Sequence, residues 1–212
     1  RGCGRSDNGS SECTIALMAE DAVRLLDYLE IEKAHILGHS MGGCIAQEIA
    51  IEYPKRVNKL ILASTCAVLS QENKSIFSDL LKVLEDGSSY QSFIREFFRL
   101  IFTPEYLSNK NTAEGAVKSA LNYPFPITPK GFRLQLEALN NFNSKDSLKE
   151  IEARTLIIAG GKDALITSEE AQLLSDKISF SEFLCLKNMA HSFFLENPAI
   201  FTEKIIDFLL TK

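Results

Sequence analysis

The sequence predicts an α/β fold, a mostly parallel sheet with helices on both faces and a helical insert. Three observations carry this prediction. Residues 34–37 form a short apolar run, followed at once by Gly38-His39-Ser40-Met41-Gly42 and then by Ala46, Ile49, Ala50 and Tyr53 at helical spacing until Pro54. Thr155-Leu-Ile-Ile-Ala159 is a continuous β-type run, suited to a strand buried on both faces of a parallel sheet. Between these blocks, residues 66–148 lack strand alternation yet hold eight of the fourteen phenylalanines.

Each element has its own signal. Arg1-Gly-Cys-Gly-Arg-Ser6-Asp7 is glycine-rich and polar, hence a loop. Thr14 is placed to cap a helix whose apolar stripe is Met18, Ala22, Leu25, Leu26 and Leu29. After the block around Ser40, residues 60–63 read as the next strand. Residues 71–85 are amphipathic and end before Gly87; residues 90–102 form a Phe-rich helix closed by Pro104. Tyr123-Pro-Phe-Pro126 is a rigid break, and residues 132–142 return to helical spacing. Strand 155–159 ends in Gly160-Gly-Lys-Asp163. A helix over 168–177 opens with two glutamates, as the macrodipole favours. Residues 183–186 form a last strand, Asn188-Met-Ala-His191 a loop and residues 199–210 a closing helix. Nine acids balance nine bases between 66 and 148, a neutral, aromatic, helical stretch that reads as a lid. The expected division is 1–65 core, 66–148 lid and 149–212 core.

The order strand, sharp turn, helix makes Gly38-x-Ser40-x-Gly42 a nucleophile elbow. Small residues are expected at Gly38 and Gly42, where side chains would collide. The helix starting at Met41 aims free N–H groups at whatever sits beside Ser40. Gly38-His-Ser-Met-Gly-Gly43, with the following A-x-x-x-A-x-x-Y-P-x-R-V, resembles the α/β-hydrolase superfamily and its lid-bearing esterases. Among these, 3-oxoadipate enol-lactonases and pimeloyl-carrier-protein methyl ester esterases are similar. That resemblance spans the chain and implies an α/β-hydrolase fold.

A serine hydroxyl needs a base to take its proton. Of three histidines, His35 lies inside a strand and His39 in the turn, where it lines the pocket or packs. His191 lies on a loop after a strand and is the expected base. Asp163 follows the 155–159 strand at the C-terminal edge where parallel sheets bind ligands, and would hold the imidazole tautomer. The order Ser40, Asp163, His191 matches that of α/β-hydrolases. Some relatives carry the acid after the next strand; that place here holds Ser64, Thr65 and Cys66. Two positions depart from the family: Ala164 follows the acid, where proline is frequent, and Ala190 precedes the histidine, where glycine is frequent. Alanine at 190 would be strained if its φ were positive. The Met41 N–H is the expected first oxyanion donor. In the family the second comes from a loop after the third strand, which is expected to lie outside these residues.

Composition narrows the partners. The 212 residues are 45% hydrophobic and 24% charged, with net charge −5 and pI near 5.3. There is no basic run to attract nucleic acid or an anionic membrane, and no apolar run approaches a membrane span. Five cysteines without C-x-x-C fit a reducing cytoplasm, and Cys3 and Cys13 read as thiols rather than as a pair. No metal-ligand spacing occurs, and no cofactor is expected.

The expected substrate is a small-molecule carboxylic ester or lactone, cleaved through an acyl-enzyme. The resemblance also admits an acyl-carrier-protein-linked substrate. His39, Phe97, Phe98 and Arg99 are the candidate substrate contacts. The phenylalanines equally suit packing between lid helices, and Arg95, Arg99 and Arg133 equally suit a solvated face. A carbon–carbon bond hydrolase with the same triad and a non-catalytic ligand receptor remain alternatives. Arg1-Gly-Cys-Gly-Arg-Ser6 resembles a segment that follows the family's fourth strand. The first strands of the family sheet are therefore expected to be missing. The 212 residues alone are then expected to be poorly soluble and nearly inactive.

Overall fold

The computed structural model describes residues 1–6, 13–87 and 89–211; Asp7 of the opening loop lies outside them. Four parallel strands form one sheet in the order β1 (Ala34–His39), β2 (Val57–Ala63), β3 (Arg154–Gly160), β4 (Ser181–Leu186). All four expected strands are present, each a few residues longer than its apolar run. Helix α1 (Ile15–Tyr28) precedes β1, and α2 (Met41–Glu52) crosses from β1 to β2.

Among the described residues, five α-helices, α3 (Gln71–Glu85), α4 (Tyr90–Ile101), α5 (Pro104–Ser108), α6 (Lys110–Leu121) and α7 (Pro129–Asn141), and a 3-10 turn at Leu148–Glu150 separate β2 from β3. α8 (Ser168–Lys177) joins β3 to β4. α9 (Phe193–Glu196) and α10 (Pro198–Leu210) end the chain. No helix among the described residues is long and apolar enough to cross a membrane.

Strand alternation divides the core into two layers. Leu60, Leu62, Ile157 and Ala159 pack against Ala19, Val23, Ala46, Ile49, Ala171 and Leu174 of α1, α2 and α8. Ile61, Ala63, Leu156 and Ile158 face Phe193 and Phe208, with Phe201 and Ile205 alongside, on α9 and α10. Cysteines 3, 13, 44, 66 and 185 are free thiols.

The Thr14 hydroxyl accepts the Leu17 N–H at 3.1 Å and starts α1 as expected. Its buried face differs from the expected stripe. Burial is confined to Ile15, Met18, Ala19 and Val23, whereas Leu25 and Leu29 are 57% and 52% exposed. Toward the end of α1 only Leu26 is half-buried among its leucines, and Leu37 of edge strand β1 is 45% exposed.

The stretch between β2 and β3 is tied at its two ends. Val68 and Asn143 form an antiparallel bridge, and Ser144 N–H donates to the Ala67 carbonyl at 2.9 Å. Fully buried Gln47 of α2 receives the Ser144 hydroxyl at 2.7 Å and donates to the Cys66 carbonyl at 3.2 Å. Such a closed polar network leaves none of these four groups without a partner. Within the stretch, Phe93 is fully buried, stacks on Phe97 at 5.9 Å and meets Phe132 edge to face at 5.8 Å.

Candidate active site

At the C-terminal end of β1 the chain reverses through Ser40 into α2. Ser40 adopts φ 54° and ψ −122°, a left-handed conformation that side chains avoid. Holding it costs about 1–3 kcal/mol, which neighbouring contacts must offset. Ser40 N–H donates to the Ala63 carbonyl at 2.9 Å, and its own carbonyl accepts from Gly43 N–H and the Thr65 hydroxyl, both at 2.8 Å. The hydroxyl of Ser40 does not cap its own helix, so it is left for other work.

The elbow's steric demand falls on Gly38 and Gly43. A Cβ on Gly38 would run into the Gly42 carbonyl, and one on Gly43 into Thr65. A Cβ on Gly42 would meet nothing within 4 Å. The expectation that Gly42 is needed for space is therefore corrected: its Cα faces open room, and Gly43 is the crowded position. Gly42→Ala should leave stability within about 1 kcal/mol of the parent, alanine being favoured in a helix. Gly38→Ala and Gly43→Ala should each cost about 1–3 kcal/mol or more through overpacking. Denaturant midpoints measure this, and equal costs at the three positions would contradict the geometry.

Asp163 and His191 meet across 28 residues. His191 Nδ1 lies 2.8 Å from Asp163 Oδ2, with the two side chains 5% and 0% exposed. The other carboxylate oxygen, Oδ1, accepts the N–H groups of Leu165 and Ile166, each at 2.9 Å. In the neutral ring, an Nδ1–H turned toward the Asp163 carboxylate leaves the lone pair on Nε2. Gly160 and Gly161 let the two loops touch: a Cβ on Gly160 would strike the Ala190 carbonyl, and one on Gly161 the Lys187 backbone. Ala190 is not among the residues with positive φ, so the alanine before the histidine is unstrained.

His39 links this pair to the elbow. Its Nε2 lies 2.9 Å from the His191 carbonyl, to which it donates, and its ring stands edge-on to the His191 ring at 4.8 Å. Phe194 packs on the other side at 4.8 Å. Burial first, then the nearby His191, push the His39 pKa from 6.5 down to about 4; the carbonyl bond and Asp163 act oppositely and are outweighed. Between pH 6.5 and 4 the unfolded chain therefore binds a proton that the folded protein refuses, and stability rises with pH across that window. His39 should account for about 3 kcal/mol of stability lost as pH falls through it. His39→Gln keeps a donor for the carbonyl and should flatten that part of the curve of unfolding free energy against pH. An unchanged slope would show that the acid sensitivity lies elsewhere.

Beside Ser40 lies a narrow pocket of about 110 Å³. Met41, Phe77, Phe97, Phe132, Leu136 and Leu139 line it, and Gln135 is the one polar side chain there besides Ser40. Of the four candidate substrate contacts, only Phe97 lines this pocket. His39 packs against His191, Phe193 and Phe194 instead. Phe98 and Arg99 line a separate hollow between α4 and α6 with Arg95, Lys110 and Glu114. The reason is local pairing: Arg99 bonds Glu96 at 2.6 Å, one turn back on α4, and Phe98 packs edge to face on Phe102. Arg95 is held by both oxygens of Glu114, and Arg133 pairs with Glu85. The three arginines thus serve solvated helix faces. Gln135, Thr65 and Glu196 carried no motif in the sequence; the Gly160-Gly161 pair was the one local sign of a close loop crossing.

A parallel sheet turning through a strained serine into a helix, with a buried carboxylate–imidazole pair at the same edge, defines a fold of the α/β-hydrolase class. A model of the alpha/beta hydrolase fold family matches residues 1–198, and the chain belongs to that family. It is 27% identical over 211 residues to the RutD protein of Caulobacter vibrioides, provisionally assigned as a carbamate hydrolase. That match covers 99% of this chain and 77% of the relative. A hydrolase from Pseudomonas aeruginosa superposes with a TM-score of 0.88 at 27% identity, covering 100% of this chain and 77% of the other. A thermophilic esterase from Thermogutta terrifontis superposes with a TM-score of 0.83 at 26% identity, covering 99% and 76%. The enol-lactonase of Burkholderia xenovorans shares the fold, with a TM-score of 0.87 at 21% identity, covering 100% and 78%.

Proposed function

We propose that this protein is a serine hydrolase that cleaves a small carboxylic ester or lactone. The observation that carries the reading is the buried Asp163–His191 pair, joined through His39 to a strained Ser40. In this reading His191 Nε2 takes the Ser40 proton as Oγ attacks the carbonyl carbon. Asp163 stays ionised and stabilises the imidazolium. The oxyanion develops against the Met41 N–H, which the helix leaves without an internal partner. His191 then protonates the leaving oxygen. Water enters by the same route in reverse and frees the acid.

The pocket supports a short apolar acyl group. At about 110 Å³ it is smaller than the usual ligand cleft of roughly 300–1,000 Å³, and no cation lines it. A dicarboxylate is therefore a poor fit. A carbamate differs from an ester by a nitrogen on the same carbonyl, and Gln135 offers a polar partner for it. The RutD relative makes that the second reading.

A fluorophosphonate should label Ser40, identified by peptide mass, and nitrophenyl esters from acetate to octanoate should be hydrolysed best at the short end. Nitrophenyl carbamates run in parallel decide between the two acyl classes. Hydrolysis without labelling at Ser40 would overturn the mechanism. Neither labelling nor turnover would leave the ligand-receptor alternative.

A further inference from the structure

We propose that Glu196 is a positioning residue that latches the His191 loop to the α4–α5 junction, so that the base is aligned only while that junction is docked. The proposal rests on the hydrolase reading above, because it assigns His191 as the base.

The carboxylate of Glu196 sits between two backbone segments that are far apart in sequence. Oε1 accepts the Thr103 N–H at 2.6 Å, and Oε2 accepts the Ala190 N–H at 2.9 Å. Ala190 immediately precedes His191. The residue after it is tied to the same place: Ser192 N–H donates to the Ile101 carbonyl at 2.9 Å. His191 is thus bracketed by a direct bond from Ser192 to Ile101 on one side and, on the other, by a bond from Ala190 to Glu196, whose second oxygen reaches Thr103. Hydrogen bonds to an ionised acceptor are the stronger kind, and one carboxylate makes two of them here.

The same junction grips the acid. Ile101 and Phe102 are buried in one cluster with Leu165 and Ile166. Those two residues supply the N–H groups that hold Asp163 Oδ1. One turn back along α4, Phe97 forms a wall of the Ser40 pocket. A single helix therefore lines the space for the acyl group at Phe97 and, at its C-terminal end, contacts Ser192, Leu165 and Ile166, the neighbours that hold the acid–base pair. A group that fills the pocket and seats α4 would also seat the base.

Two substitutions isolate the latch. Glu196→Gln keeps the volume, but its amide oxygen can accept only one of the two N–H groups, and its NH₂ faces the other donor. Thr103→Pro deletes the insert-side N–H while leaving the Ala190 N–H in place, and it also removes the Thr103 hydroxyl. Thr103 has φ −68°, which proline adopts, and Phe102 before it is extended, as proline requires. Both Thr103→Pro and Thr103→Ala lose the hydroxyl that caps Tyr106, so their difference reads the N–H. Full-length variants are assayed with a short nitrophenyl ester, with KM, kcat, fluorophosphonate labelling rate and melting temperature measured together. Glu196→Gln should lower kcat and labelling rate about ten- to a hundredfold with KM nearly constant, the size expected of a small misplacement. Thr103→Pro should fall about tenfold below Thr103→Ala in kcat. The pH–rate profile of Glu196→Gln should also shift, which lost stability alone would not cause. Parent-like kcat and pH profile in Glu196→Gln, with Thr103→Pro equal to Thr103→Ala, overturn the latch. Ser40→Ala in the same assay separates the two readings: if it keeps turnover, the hydrolase reading fails; if it is inactive, only the latch is at issue.

Discussion

In a complete enzyme, Ser40→Ala is expected to lower kcat on a short ester by about 10⁶, the loss seen when the nucleophile of a serine hydrolase is removed. It should do so without disturbing the fold. The three bonds that hold the elbow, to Ala63, Gly43 and Thr65, use only the backbone of residue 40. The hydroxyl caps nothing, and alanine at φ 54° is no more strained than serine. The melting temperature should therefore stay close to that of the parent while labelling disappears. The Asp163–His191 pair would remain intact but would have no hydroxyl to activate. Residual catalysis would come only from binding and the helix N–H groups. A variant that still turns over within a hundredfold of the parent would sink the mechanism and return the pocket to the ligand-receptor reading.

The elements legible in the sequence were those whose signal is local. The apolar runs at 60–63 and 155–159 mark central strands because a parallel strand buried on both faces tolerates little else; those at 34–37 and 183–186 mark the partly exposed outer strands by their shortness and the turn residues that follow them. The turn at Ser40 was legible for the same reason: its glycines, strand and helix are contiguous. The bounds of the helices between β2 and β3 were less so. α5 and α6 lie in residues 104–121, where polar residues dilute the helical period, although Thr103 and Asn109 cap both helices. α7 begins at Pro129 rather than near 132, with Thr128 as its cap and proline in its first turn. The α1 stripe failed at Leu25 and Leu29 because periodicity reports which face is apolar, not how far along it a partner extends. In the site, Asp163 and His191, whose side chains meet at 2.8 Å, were singled out from their places after strands. Glu196 and Thr65 were not, because their partners are backbone groups brought near by tertiary packing alone. Arg99 misled for the converse reason: a charge on a helix face advertises itself in the sequence whether it meets a substrate or only Glu96.

Asp163→Asn should lower kcat by about 10⁴, as the equivalent change does in the triad of serine proteases. The hydrogen-bond pattern explains why so small a change should cost so much. The N–H groups of Leu165 and Ile166 both point at Oδ1, and only an oxygen can accept them. The amide oxygen of the asparagine is thereby fixed at that position. Its NH₂ must then face His191 Nδ1, where the parent has an acceptor 2.8 Å away. A donor there forces Nδ1 to give up its proton and moves the proton to Nε2. The imidazole then presents an N–H to Ser40 instead of a lone pair, and can no longer take the hydroxyl proton. Shape and packing are nearly unchanged, so KM for a short ester and the unfolding midpoint should move little. Nitrogen chemical shifts of the His191 ring should report the exchanged tautomer directly. If Asp163→Asn keeps kcat within about tenfold of the parent, or if the ring still carries its proton on Nδ1, the carboxylate is not what sets the base.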